Sequence, residues 1–166
     1  MKLEEAGLLA DQIVHAIEHL CDPGKIQVVG SIRRKRSEVH DIDIVLIPQS
    51  WMWNTIIQRL KNTMLADVIK AGPELVTLKI PRSTLTETIQ VDIYKARPET
   101  WGVLLLIRTG SKEHNIKLCS RAKSMGLMLS AAQGVIKDGK VIASRTEEEI
   151  FAALGLAYVE PKDREV

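Results

Sequence analysis

Residues 28–47 read VVGSIRRKRSEVHDIDIVLI, and the rest of the chain is organised around them. An apolar strand runs into the turn Gly30-Ser31; the basic run Arg33, Arg34, Lys35 and Arg36 follows; then comes a second strand carrying Asp41 and Asp43. In an extended strand, residues two apart point to the same face, so both carboxylates leave one side of the sheet while Ile42 and Ile44 bury the other. Adjacent anions repel, and a divalent cation between them relieves the repulsion. The Gly30-Ser31 turn opens a helix, where free backbone N–H groups favour a phosphate. A metal-binding edge beside an anion-binding turn points to phosphoryl or nucleotidyl transfer. Either half alone is a weak signal: D-x-D is often a solvated strand end, and it is the turn, the basic run and the D-x-D in that order that together point to this chemistry.

The outer bounds agree with one domain or two small lobes. The chain has 166 residues, 45% of them hydrophobic, with a net charge of +2, enough to build a core. No stretch is long enough to span a membrane. The start, MKLEEAGLLADQ, is acidic and amphipathic rather than signal-like, which gives the expectation of an intracellular, cytoplasmic protein. Cys21 and Cys119 have no metal-ligand spacing, as in a reduced compartment. Arg108, Lys112, Lys117, Arg121 and Lys123 face a single nearby acid, Glu113. This local basic patch reads either as a surface for a phosphate backbone or as a solvated helix face.

In chain order, Leu3, Leu8, Leu9, Ile13, Ala16, Ile17 and Leu20 have helical spacing and predict an amphipathic helix over residues 3–20, ended by Asp22-Pro23-Gly24. His15 and His19 lie one turn apart on its surface. Strands are expected at 25–29 and 41–47, the second closed by Pro48, then a helix over 51–65 in which Trp51 and Trp53 are packing residues rather than a base-stacking platform. Two more strands, 74–80 and 87–94, are joined by Pro81-Arg82-Ser83-Thr84. The second contains TIQVDIY, with Ile89, Val91 and Ile93 on one face and Asp92 on the other. If it lies beside the D-x-D strand, Asp92 completes three carboxylates, the donor set for a pair of Mg²⁺ ions about 3.5–4 Å apart. Beyond Tyr94 the period turns helical: an apolar helix over 98–107, a break at Thr109-Gly110-Ser111, and a basic helix over 112–125 ending at Gly126. A hairpin over 127–143 turns at Asp138-Gly139, and a last helix opens with the capping box Thr146-Glu147-Glu148-Glu149 and ends at Gly155.

These residues resemble family X DNA polymerases of the DNA polymerase beta type. GSIRRKRSEVHDID is similar to the family's G-S-x-R-R…D-x-D signature. The strand around Asp92, TGSKEHNIKL, RTEEEIFAALGL and the terminal EPKDRE follow in the family's order. The resemblance implies an α+β protein: residues 1–95 a palm of the nucleotidyltransferase fold, with a mixed sheet and helices, and residues 96–166 a mainly helical thumb with a small β-hairpin. It implies addition of dNTPs to a primer 3′-hydroxyl on primer-template or gapped DNA, in short-gap repair, by a monomer in a prokaryotic or viral setting. The cofactor implied is two Mg²⁺ ions, with Mn²⁺ able to substitute. By the same resemblance Asp41 and Asp43 would each hold both metals, and Asp92 would hold the catalytic metal and help deprotonate the primer hydroxyl. Gly30, Ser31 and Arg34 would grip the outer phosphates, Gly110 and Ser111 would line the sugar pocket, and Asn115 would reach the minor-groove edge of the incoming base. The basic helix, with Arg108, Lys112, Lys117, Arg121 and Lys123, would track the DNA backbone.

The departures from the family pattern are specific. Ile107 and Arg108 stand where relatives carry two aromatics that help reject ribose, so rNTPs come into question as substrates. Cys119 replaces an arginine that contacts the template strand, and Gln90 replaces a basic residue near the primer. His40 precedes the D-x-D, where it either adds positive charge near triphosphate oxygens at mildly acidic pH or fills a loop end. No helix-hairpin-helix segment precedes the first helix, giving the expectation of a minimal, distributive palm-plus-thumb enzyme without deoxyribose-phosphate lyase activity. The alternative readings are a template-independent or ribonucleotide-tolerant nucleotidyltransferase and a catalytically decayed DNA-end-binding scaffold.

Overall fold

Along Asp41–Pro48 burial alternates over the first four residues and is then continuous to Ile47, and the alternation fixes which face of the strand carries Asp41 and Asp43. In the computed structural model, which describes residues 1–82 and 86–165, this segment is strand β2 of a five-stranded sheet. The other strands are β1 (Cys21–Val28), β3 (Asp67–Ala71), β4 (Leu75–Pro81) and β5 (Thr88–Lys95), in the spatial order β1-β2-β5-β4-β3. Strands β2 and β5 run parallel, and every other pair is antiparallel, so the sheet is mixed. Ile42, Ile44, Val76, Leu78, Val91 and Ile93 are fully buried on one face. Helices α1 (Leu3–Ile17) and α3 (Trp53–Met64) cover that face with Ala10, Ile13, Ile17, Ile56 and Leu60. Each of the larger aliphatic side chains contributes about 1.5–3 kcal/mol on burial. The short helix α2 (Gly30–Arg33) lies between β1 and β2.

Several expectations change. The regular part of α1 stops at Ile17, and a 3₁₀ turn, Glu18–Leu20, leads directly into β1. Asp22-Pro23-Gly24 lies inside that strand, not at a helix end: the register slips between Cys21 and Ile26, where Gly24 takes φ +70°. The sheet tolerates Pro23 because β1 is an edge strand, whose bulge needs no ladder donor there. Leu8, expected on the buried stripe, is 63% exposed. Strand β3 was not expected at all. Four of its five residues are exposed, so an edge strand of this kind carries no alternating signal. Trp51 is not a packing residue: it is 95% exposed. Trp53 does pack, and its Nε1 donates to Gly72 O at 3.1 Å. Of the link 81–84 between β4 and β5, residues 83–84 lie outside the described residues.

The contacts divide the chain into Met1–Lys95 and Ala96–Val166. The second unit contains α4 (Trp101–Thr109), α5 (Lys112–Ser124), α6 (Glu147–Ala153) and strands β6 (Met128–Ser130), β7 (Gly134–Lys137) and β8 (Lys140–Ala143). The expected hairpin is therefore a three-stranded antiparallel meander. Its β7–β8 turn places Asp138 at φ 50° and Gly139 at φ 75°, the left-handed pair that a two-residue turn between twisted strands requires. Val103, Leu106, Leu118, Ile150, Phe151 and Leu154 form its core. The capping box forms as expected: Thr146 Oγ1 accepts from Glu149 N, and Glu149 Oε1 accepts from the N–H groups of Ser144 and Arg145. Gly155 N and Leu156 N close the helix onto Ala152 O and Phe151 O.

Candidate active site

Strand β2 buries Ile42 and Ile44, so the period of two sends Asp41 and Asp43 to the opposite face, where both are half-buried. The parallel register with β5 sets Asp43 directly across from Asp92, and Asp41 across from Gln90. On the other flank of β5, Thr77 of β4 is the register partner of Asp92. Thr77 Oγ1 donates to Asp92 Oδ1 at 2.6 Å, and Gln90 Nε2 donates to Asp92 Oδ2 at 2.9 Å. Both oxygens of Asp92 are therefore oriented by neighbours in the sheet. Among the described residues, no three acidic, histidine or cysteine side chains are drawn together as a closed ligating cluster. The donor set still suits a hard divalent cation: all three groups are carboxylates, and two of them lie side by side on adjacent strands.

The turn before α2 packs against the same strand. Val29 N donates to Asp43 O at 2.8 Å. Gly30 has φ +62°, and a Cβ there would overlap Asp43 Oδ2 and come within 3.2 Å of Cγ, so the residue must be glycine for backbone and space alike. Ser31 Oγ is shielded from solvent and has no hydrogen-bond partner, a hydroxyl left over at the turn expected to take phosphate. Arg34 is half-buried and His40 is exposed.

In the second unit, Ser111 is buried and caps α5: its hydroxyl accepts from His114 N at 3.2 Å and donates to Glu165 O at 3.0 Å. Asn115 Nδ2 donates to Ile107 O at 2.9 Å, while Asn115 Oδ1 is shielded and has no partner. Gly110, at φ 71°, joins α4 to this cap. Arg108, Lys112, Lys117, Cys119 and Lys123 are exposed. Arg121 is committed in part to structure, with Nε donating to Leu154 O at the end of α6.

Two residues that matter to these arrangements are not singled out by the sequence. Thr77 reaches Asp92 only through the β4–β5 register, which no local motif encodes. Arg164, inside the EPKDRE run, is fully buried, pairs with Glu147, and donates Nε to Val159 O at 2.8 Å. Its guanidinium lies 5.3 Å from the ring centroids of both Phe151 and Tyr158.

Residues 104–165 match the family model described as DNA polymerase beta thumb. The chain is 31% identical over 143 residues to the DNA polymerase/3'-5' exonuclease PolX of Bacillus subtilis, covering 85% of this chain and 24% of that protein. It is 27% identical over 190 residues to DNA polymerase lambda of Rattus norvegicus, covering 99% of this chain and 33% of that one. To a repair DNA polymerase X of African swine fever virus it is 24% identical over 143 residues, covering 84% of this chain and 80% of the viral protein. It thus spans about a quarter of the first relative, a third of the second and most of the third. The mixed α+β fold, the strand-borne carboxylates and these matches together support a family X DNA polymerase.

Proposed function

We propose that this chain is a nucleotidyltransferase that adds deoxynucleotides to a primer 3′-hydroxyl on a DNA template, in short-gap repair. The observation that carries the reading is the register of Asp43 against Asp92 with the Gly30 turn seated on Asp43. Asp41, Asp43 and Asp92 are the residues that would hold two divalent cations, Mg²⁺ with Mn²⁺ as substitute. Such a pair, when bound, makes the attacking hydroxyl more acidic and neutralises triphosphate and leaving-group charge.

Asp92, oriented by Thr77 and Gln90, would accept the primer hydroxyl proton as the new phosphodiester bond forms and the bond to the leaving pyrophosphate breaks. The Gly30-Ser31 turn offers the unpartnered Ser31 hydroxyl to the outer phosphates, with Arg34 and His40 adding to that grip. In the second unit, Asn115 would reach the minor-groove edge of the incoming base, beside a sugar-pocket turn at Gly110 and Ser111. The exposed residues Arg108, Lys112, Lys117 and Lys123 contact the DNA backbone without reading sequence. The protein acts as a monomer inside the cell; no described helix is long and apolar enough to cross a membrane.

The second reading, a template-independent or ribonucleotide-tolerant enzyme, is favoured by Ile107, Arg108 and Cys119. Primer extension with and without template, using dNTPs and rNTPs separately, decides between the two. Incorporation that follows the template base supports the first; incorporation that ignores it supports the second. A wild type that binds DNA ends but never incorporates would leave only the scaffold.

A further inference from the structure

The loop between β2 and α3 holds a feature that the polymerase reading does not use. Trp51 is 95% exposed and sits at φ +67°, a backbone region costly for a bulky side chain and one that marks functional sites. It stands at the lip of a cleft of about 620 Å³ lined also by Gln49, Ser50, Trp53, Asn54 and Lys95. Lys95 is the only charged residue among those lining it, and its Nζ lies 5.9 Å from the centroid of the Trp53 ring. Trp53 is fixed from below by its hydrogen bond to Gly72 O, and the Gln49 amide is fixed by Nε2 donating to Cys21 O at 3.2 Å. The cleft thus has a free indole face, a pinned aromatic floor carrying a cation, and amide and hydroxyl groups at its rim.

We propose that this cleft takes an unpaired nucleobase of a DNA strand, stacked on Trp51, with Lys95 countering the phosphate next to it. Indole faces stack on any base, a lone cation suits one phosphodiester, and the rim amides match the in-plane donors and acceptors of a base edge. A proline-rich peptide, the other ligand that paired tryptophans accommodate, would use neither the cation nor that many polar rim groups. The position is separate from the carboxylates: Lys95 lies three residues beyond Asp92 in β5, so the strand's alternation turns it to the helix-covered side. The inference therefore stands or falls independently of the catalytic reading.

The test is a titration of the protein with a short oligodeoxythymidylate in EDTA without nucleotide, followed by tryptophan fluorescence and anisotropy. The strand should quench the fluorescence. Trp51→Ala should weaken binding about tenfold, with Trp51→Phe keeping most of it. Lys95→Gln should weaken it and reduce the salt slope by about 1. Trp51 is exposed, so its replacement leaves the fold in place, and circular dichroism of the variant verifies this. Binding by Trp51→Ala that equals the wild type overturns the proposal. So does an abasic strand that binds as tightly as the thymidylate, free dTMP that binds as tightly as the strand, or quenching by a proline-rich peptide and not by DNA.

Discussion

Gly30 and Asp43, thirteen positions apart in sequence, are in contact: a Cβ on Gly30 would overlap Asp43 Oδ2 and lie 3.2 Å from its Cγ. The turn expected to hold phosphate and the strand expected to hold metal are thus one packed unit. Gly30→Ala should cost about 1–2 kcal/mol of stability from the left-handed backbone alone. It should also lower primer extension by at least about tenfold as Asp43 is displaced. Thermal unfolding and single-turnover extension measure the two effects, and an alanine variant with unchanged extension would show the contact to be incidental.

Thr77 is not itself an expected ligand, yet its hydroxyl orients Asp92. Thr77→Val keeps the shape and removes the hydrogen bond, and a bond to a carboxylate contributes about 1.5–3 kcal/mol. The turnover rate should fall by about tenfold or more, with nucleotide KM little changed. Rescue by Thr77→Ser, which restores the donor, separates this positioning role from a loss of packing.

The pair of Arg164 and Glu147 is buried, at 0% and 4% exposure. Removing one partner leaves an uncompensated charge, so Arg164→Met should cost about 3–5 kcal/mol. Arg164→Met combined with Glu147→Leu should recover most of that loss. Denaturant unfolding of the two variants and the wild type provides the comparison.

Burial, and after it the nearby charges of Arg164 and Lys117, pull the His114 imidazole down from 6.5 to about 4. The folded protein then resists a proton that the unfolded chain accepts, so between these two values stability falls as pH falls. Wild type should lose more stability between pH 7 and pH 5 than His114→Gln does. Parallel pH profiles for the two proteins would argue against the buried, neutral imidazole.

Much of this was legible in the sequence, because it was encoded locally. DIDIVLIP alternates and then turns wholly apolar, TIQVDIY alternates cleanly, and Thr146 with Glu149 forms the capping box its spacing announces. What escaped was encoded by partners distant in sequence or by nothing local. β3 is an exposed edge strand with a single half-buried residue, Val68. Pro23 looked like a helix terminator because nothing in the sequence says that its strand lies at the edge. Thr77 acquires meaning only from a register, and Trp51 looked apolar, hence buried, although composition cannot distinguish a packing indole from a displayed one.

The central claim is that Asp92 acts together with Asp41 and Asp43 on the primer hydroxyl, and Asp92→Asn isolates it with almost no change of shape. Single-turnover primer extension in Mg²⁺ by this variant should fall by about a thousandfold or more, while its DNA binding in EDTA stays at the wild-type level. Extension by Asp92→Asn at a rate near that of the wild type would contradict the account.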